Sequence, residues 1–166
     1  MNRIFIFTIN LLFVSLLCNA QKGLSVDSIF SDYGKRQGSV FLDISKDILG
    51  EHTRIERFKC LRLKQDNEAA SAIVDAVKND YESSKRFDNA LVIKEMTENG
   101  VLKNATYCLG KADETPVGVY LLYSVNNGNI MLVYLTGRFK PSELNNELNK
   151  LKDLFIKVNN KEIKIY

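Results

Sequence analysis

Few side chains of this chain could carry out nucleophilic or acid–base chemistry, and their spacing assembles no recognisable catalytic group. His52 is the only histidine, which excludes a metal site built from several imidazoles. Cys60 or Cys108 could act with it as a nucleophile, but the sequence places no third residue to orient such a pair. A histidine in a solvated loop is the simpler interpretation, and we predict no catalytic residues.

The carboxylates follow the pattern of exposed protein surfaces. Asp75, Asp80 and Glu82 lie on or near the polar face of a predicted helix. No pair is spaced to face one cleft from two sides, as glycoside hydrolysis requires. The glycines form neither a P-loop nor a G-x-G-x-x-G pattern. We therefore expect a protein that is not an enzyme and that holds no cofactor and no metal.

Two cysteines, Cys60 and Cys108, follow the apolar start of the chain. In an oxidising compartment they could form one disulfide. Such a bridge needs Cα atoms within about 7 Å of each other and therefore adjacent strands. The alternative is two separate buried thiols, because a free cysteine packs as a small hydrophobic side chain.

The first twenty residues have the features of a secretory signal peptide. Arg3 precedes the apolar run Ile4–Leu17, and Cys18 and Ala20 supply small residues at the −3 and −1 positions of a cleavage site. We predict cleavage after Ala20, with export to the periplasm or the outer membrane. The run is shorter than the roughly 20 apolar residues that span a bilayer, so no transmembrane segment is expected after cleavage.

Cys18 also has a second interpretation. In a lipoprotein this cysteine would become the acylated N-terminus, and the protein would be anchored to a membrane. That processing favours a small residue before the cysteine, whereas this chain has Leu17 there.

Removal of residues 1–20 would leave residues 21–166, which is the size of one ordinary domain. The net charge of +3 would fall by one with the loss of Arg3, to +2. Such a weak positive charge does not predict a nucleic-acid partner. The content of 45% hydrophobic and 26% charged residues is that of a globular protein.

Apolar periodicity predicts an α+β domain in which about three helices pack on an antiparallel sheet of five or six strands. The first helix would begin with Ser25 as its N-cap, and the second would be capped by Asp66 or Asn67. The third would begin at Pro141. In the strand Ile55–Lys64, apolar residues occupy both faces, and a β-bulge near Cys60 would reconcile them.

Two Asn-Gly pairs, at residues 99–100 and 127–128, indicate β-hairpins with two-residue type I′ turns. The first turn pairs Val92 with Tyr107 and Leu91 with Cys108. The second turn sets Tyr123 opposite Leu132 and neighbouring residues opposite one another in the same register.

The second hairpin is apolar on both faces, whereas a sheet with one solvated face alternates. Its centre must therefore be covered on both sides, either by the chain's own helices or by a partner. In the second case Tyr120, Tyr123 and Tyr134 would form the binding surface, because aromatic residues are enriched at interface hot spots. In the first case the three rings belong to the core.

Two stretches resemble an uncharacterised family of small exported proteins from bacteria of the Bacteroides group. One is Ile29–Gly38 with the strand that follows it, and the other is Leu132–Gly137 with the polar link into a Leu-rich helix. The resemblance covers roughly residues 24 to 155. It implies a periplasmic or outer-membrane setting and carries over no catalytic residue, because no activity is assigned to the family.

These observations favour a non-enzymatic binding or regulatory module of the periplasm or cell envelope, with an unknown envelope protein or ligand as its partner. The alternatives are a surface-anchored component of envelope assembly and a small enzyme with an unrecognised site. An exposed apolar patch would support the binding module. A deep pocket with convergent polar groups would support the enzyme.

Overall fold

The computed structural model describes residues 23–86, 90–110 and 118–159, with side chains as far as Lys152 in the last range. The predicted signal peptide, its cleavage site after Ala20, and Cys18 lie outside the described residues. The described residues form one α+β domain, as predicted.

The helices and strands alternate irregularly along the chain. The helices are α1 (Ser25–Tyr33), α2 (Lys46–Leu49), α3 (Asn67–Lys85) and α4 (Leu144–Asn159), the last preceded by a 3₁₀ turn at Pro141–Glu143. The strands are β1 (Val40–Ser45), β2 (Ile55–Lys64), β3 (Ala90–Glu98), β4 (Val101–Leu109), β5 (Gly118–Asn126) and β6 (Asn129–Gly137).

The six strands form a single antiparallel sheet in the order β1-β2-β6-β5-β4-β3. The prediction of an antiparallel sheet of five or six strands is confirmed. Strands β1 and β3 are the two edges, and the second hairpin, β5–β6, lies in the middle.

Both hairpin predictions are confirmed. Asn99 and Gly100 have φ of 52° and 76°, and Asn127 and Gly128 have 48° and 69°, as a type I′ turn requires. Tyr123 pairs with Leu132 in the second hairpin.

In the first hairpin, Val92 pairs with Tyr107 as predicted, although two irregularities intervene. Strand β3 has an extra residue at Ile93, and β4 has one at Lys103. Because the extra residues lie on opposite strands, the two register shifts cancel.

The sheet has an apolar core on each face. On one face α1 and α3 pack over β2, β4, β5 and β6; on the other, α2 and α4 pack over the centre of the sheet. Strands β5 and β6 are therefore apolar on both faces because the chain's own helices cover both faces. We call these surfaces the α1/α3 face and the α4 face.

The expected bulge near Cys60 is wrong. Strand β2 pairs with both neighbours in continuous register through Cys60, and its irregularity lies between Ile55 and Arg57. Phe58 and Cys60 point to the α4 face, whereas Leu61 belongs to the core on the α1/α3 face. No bulge is needed because both faces are covered.

The N-terminus of α1 also differs from expectation. Ser25 is the first helical residue and not the N-cap. Its amide donates to Oδ1 of Asp80 at 2.6 Å, and the amide of Val26 donates to Oδ2 at 3.0 Å. A carboxylate of α3, 55 residues away in sequence, therefore caps α1. The cap of α3 is local, as predicted: Asp66 accepts from the amide of Ala69.

Candidate functional site

The proposed binding surface at Tyr120, Tyr123 and Tyr134 is wrong, because these rings belong to the two cores. Tyr120 and Tyr123 are 0% and 2% exposed, and Tyr134 packs half-buried against the core on the α1/α3 face. The Tyr120 hydroxyl donates to the carbonyl oxygen of Phe139 at 2.6 Å, and the two rings stack with centroids 4.9 Å apart. Burial raises the pKa of all three phenols, so they are neutral structural groups.

The possible Cys60–Cys108 bridge is not formed. Both thiols are free, and β6 and β5 lie between their strands. Three interstrand spacings of about 4.8 Å place the two strands about 14 Å apart, twice the reach of a disulfide. The alternative of two separate buried thiols holds.

Neither thiol is placed to act as a nucleophile. Burial raises the pKa of Cys60 to about 11, against a smaller opposing effect of Arg62, and burial likewise raises the pKa of Cys108. A raised pKa leaves little thiolate at neutral pH. Cys108 Sγ contacts the carbonyl oxygen of Gly110 at 3.5 Å, and His52 lies exposed in the turn before β2.

The most strongly perturbed carboxylate is Glu147 of α4, which sequence reasoning missed. Its side chain is 0% exposed. Oε2 accepts from the Thr53 hydroxyl and the Arg54 amide, both at 2.9 Å. Oε1 accepts from Arg54 Nε at 3.1 Å and from Lys150 Nζ at 2.8 Å. Glu147 thus binds α4 to the loop that precedes β2.

Burial alone would raise the pKa of Glu147. The donors Lys150, Thr53 and Arg54 outweigh it and lower that pKa to about 2. A perturbed carboxylate can mark an active site, but an ion-pair network within the fold perturbs pKa values as well. Every oxygen of Glu147 is occupied by donors of the chain itself, and this arrangement is that of a structural clamp.

Two basic residues of β2 are also paired within the fold. Arg57 binds Asp43 through two hydrogen bonds of 3.0 and 2.8 Å. Lys59 binds Asp27 at 2.8 Å and lies 5.3 Å from the Tyr134 ring centroid. These contacts fasten β1 and α1 to β2.

The hairpin β3–β4 is the exception to this packing. Leu91 and Met96 are each 52% exposed, and Val101 is 55% exposed. Val92 and Ile93 are 40% and 37% exposed. We call these five residues the hairpin surface. The sequence signal was present, since Leu91–Ile93 is an apolar run, but such a run ordinarily indicates a buried strand.

Most of the hairpin surface lies on the α4 face. Leu91 pairs with Cys108, whose thiol belongs to the core of that face, and Met96 pairs with Asn104, which alternates with Cys108 along β4. Val101 precedes Leu102, which points to the α1/α3 face. On the α1/α3 face, α3 contacts β3 and β4. The side chains described for α4 join the core over β2, β6 and β5 together with Cys108, and the outer part of the hairpin stays exposed.

The opposite edge of the sheet carries other exposed apolar residues. Val40 of β1 is 55% exposed and Ile48 of α2 is 68% exposed. With Phe41 of β1, which is 38% exposed, they make three exposed apolar residues on two elements, and such residues are common on protein surfaces. The hairpin surface differs because its five members lie on one hairpin.

Within the described ranges, no group of three or more His, Cys, Asp or Glu residues could hold a metal ion. No helix of the described part of the chain is long and apolar enough to cross a membrane.

Two solved structures are distantly similar to this chain. No curated protein sequence matches the chain. A crystal structure of a protein of unknown function from Pseudomonas aeruginosa is similar at 12% identity and a TM-score of 0.32, over 79% of this chain and 88% of that one. The solution structure of cyanobacterial PsbP (CyanoP) from Synechocystis sp. PCC 6803 is similar at 13% identity and a TM-score of 0.27, over 75% and 80%.

The sequence itself matches a family model over residues 13–148, which is most of its length. That match includes the first hairpin, the second hairpin and the beginning of α4. The chain belongs to the family of unknown function DUF6108.

Proposed function

We propose that this protein is a non-enzymatic binding module of the cell envelope of a Bacteroides-group bacterium. It is exported by its N-terminal signal peptide, resides in the periplasm or at the outer membrane, and binds a partner protein through the hairpin surface. The single observation that carries the binding role is the exposure of apolar side chains on one hairpin, of which Leu91, Met96 and Val101 share the α4 face. Contiguous exposed apolar patches on a folded domain mark interaction sites more often than scattered residues do.

The chemistry of the described residues supports binding over catalysis. Cys108 is buried and Cys60 half-buried, both with raised pKa values, and the carboxylate of Glu147 is occupied by donors of the chain itself. The hairpin surface, in contrast, offers apolar area of which about half stays exposed in the described part of the chain. Burial of such area contributes roughly 25 cal/mol per Å².

The binding role is tested by replacing Leu91 and Met96 together with serine. The variant should lose the capture of partner proteins from envelope extract while its thermal unfolding stays within a few degrees of the unmodified protein, because both side chains are exposed. The matched control replaces Val40 and Ile48 with serine and should capture as before. Equal capture by both double variants would exclude the hairpin surface as the binding site.

Export is tested separately by mass spectrometry of the protein recovered from cells. The first residue should be Gln21, in agreement with cleavage after Ala20. A diacylated Cys18 at the N-terminus would instead favour the alternative role, a surface-anchored component of envelope assembly.

A further inference from the structure

We propose that a second copy of this chain pairs with the free edge of β3, antiparallel, across a two-fold axis at Met96. The inference rests on the proposed function in that it uses the same hairpin for interaction, and it names one partner of that hairpin. The result would be a symmetric dimer with a continuous sheet of twelve strands, six from each copy.

The outer edge of β3 offers a row of backbone groups that another extended chain can pair with. Strand β3 lies last in the sheet order, and its ladder in the described structure is with β4. An open edge strand is a template for strand addition, and proteins protect such edges with charges, bulges or short length. In this strand the bulge at Ile93 interrupts one half; in the other half the extra residue of the ladder, Lys103, lies on β4, and β3 itself stays regular.

The regular half is Lys94–Glu98, which we call the pairing segment. The face of the sheet on which each of its side chains lies follows from the residue that it pairs with on β4. Lys94 pairs with Thr106 and Met96 with Asn104, and both partners alternate with Cys108 on the α4 face. Lys94, Met96 and Glu98 therefore share the α4 face, and Glu95 and Thr97 share the other.

The charges of this segment are self-complementary about Met96. An antiparallel pair around that residue places Lys94 opposite Glu98 of the partner copy, and the same contact occurs twice because of the symmetry. Met96 then meets its own counterpart, and Glu95 meets Thr97. Opposite charges across an antiparallel pair are stabilising, whereas like charges directly opposite are destabilising.

The axes on the N-terminal side of Met96 are disfavoured by charge, and an axis at Thr97 would pair no opposite charges. A two-fold axis perpendicular to the sheet relates each face of one copy to the same face of the other. Directly opposed residues of an antiparallel pair share a face, and faces alternate along the strand, so the axis must pass through a residue position and not between two residues. An axis at Lys94 would set two lysines against each other, and an axis at Glu95 would set two glutamates against each other. Met96 is the adjacent position at which the charges attract.

The environment of Glu95 fits this register. Its Oε2 accepts from the Tyr107 hydroxyl at 2.6 Å, which holds the carboxylate against its own sheet. The carboxylate is thereby directed inward along the α1/α3 face, and the hydroxyl of Thr97 can approach it from the partner copy. On the α4 face, the Met96 side chains of the two copies would come together across the axis.

The first test is the mass in solution, measured by analytical ultracentrifugation across a concentration series. The purified protein should show twice the monomer mass at high concentration. Lys94→Glu and Glu98→Lys should each weaken dimerisation about tenfold or more, because each change turns two attractive pairs into repulsive ones. The double variant restores both pairs with exchanged charges and should dimerise as the unmodified protein does. Lys64→Glu, at the exposed end of β2, is the control for net charge.

The second test does not depend on the charged variants. Met96→Cys places a thiol at the two-fold axis, where opposed Cα atoms are about 4.5–5.5 Å apart, within the range of a disulfide. Mild oxidation should yield a covalent dimer, whereas Ile48→Cys, away from the β3 edge, should form no covalent dimer. Absence of cross-linking at Met96→Cys overturns the inference, as does failure of the double charge variant to restore a dimer.

The outcomes also separate this inference from the proposed function. A protein that is monomeric at every concentration, but that loses partner capture when Leu91 and Met96 are replaced, overturns the dimer and retains the binding role. A dimer that follows the charge pattern, together with unchanged capture by that variant, supports the inference and overturns the binding role.

Discussion

Replacement of the buried Glu147 by glutamine should destabilise the fold far more than the same change at an exposed glutamate. Glutamine keeps the size of the side chain but removes the negative charge that Arg54 and Lys150 face. The carboxylate has an ordinary pKa of 4.5 and a pKa of about 2 in the folded protein. That difference corresponds to about 3 kcal/mol of stability at neutral pH.

The sign of the pH dependence follows from the lowered pKa. The stabilisation by Glu147 is fully present above pH 4.5, the ordinary value, and is lost as the pH falls through about 2, the folded value. Below that range the carboxyl is protonated in the folded and unfolded chain alike. The unmodified protein and Glu147→Gln should therefore differ at pH 7 and converge in strong acid.

Urea unfolding of both proteins, followed by far-ultraviolet circular dichroism from pH 7 to pH 2, measures this difference. Glu143→Gln is the matched control, since Glu143 also binds Arg54 but is exposed, and exposed ion pairs contribute little. Equal free energies of unfolding for Glu147→Gln and the unmodified protein at pH 7 would refute the clamp. So would a difference between them that is independent of pH.

Three further outcomes follow from single contacts. Tyr120→Phe removes the donor to the buried carbonyl of Phe139 and should cost about 1–3 kcal/mol in urea unfolding; an unchanged midpoint would show that the hydroxyl contributes nothing. Asp80→Ala removes the acceptor for two amides at the start of α1 and should cost about 1–2 kcal/mol, with faster hydrogen exchange in α1 as the specific readout. Cys60 and Cys108 should resist a thiol reagent until urea unfolds the protein, and peptide mapping should show them unlinked; a disulfide-linked peptide would contradict the separation of their strands.

The parts of the fold that sequence predicted are those with local causes. The two Asn-Gly turns fix the register of their own strands, because only a few backbone conformations connect a two-residue hairpin. Asp66 caps α3 through a contact three residues away. These features could be read from neighbouring residues alone.

The features that sequence missed depend on distant partners. Asp80 caps α1 from 55 residues away, and Glu147 reaches Thr53 across 94 residues. Neither acceptor carries a local signal, because both occupy ordinary helical positions. The faces of β2 were ambiguous for the same reason: the helices that cover each face come from different parts of the chain.

The misplaced binding surface has a related physical cause. Tyrosines on a strand are equally suited to an interface and to a core, and only the packing of Phe139 against Tyr120 decides between them. The apolar run Leu91–Ile93 suggested a buried strand, whereas its position at the end of the sheet order leaves it exposed. Strand order is set by long-range pairing, for which a single sequence offers little information.

The central pairing of β2 with β6 has a consequence for how the chain folds. Lys64 and Asn129 pair across this ladder, although they are 65 residues apart in the sequence. Each of the other ladders joins strands that are consecutive along the chain. Closing a loop of that length costs roughly 4 kcal/mol of chain entropy. The β1–β2 unit and the β3–β6 meander can therefore form early and separately, and their docking along β2–β6 should limit the folding rate.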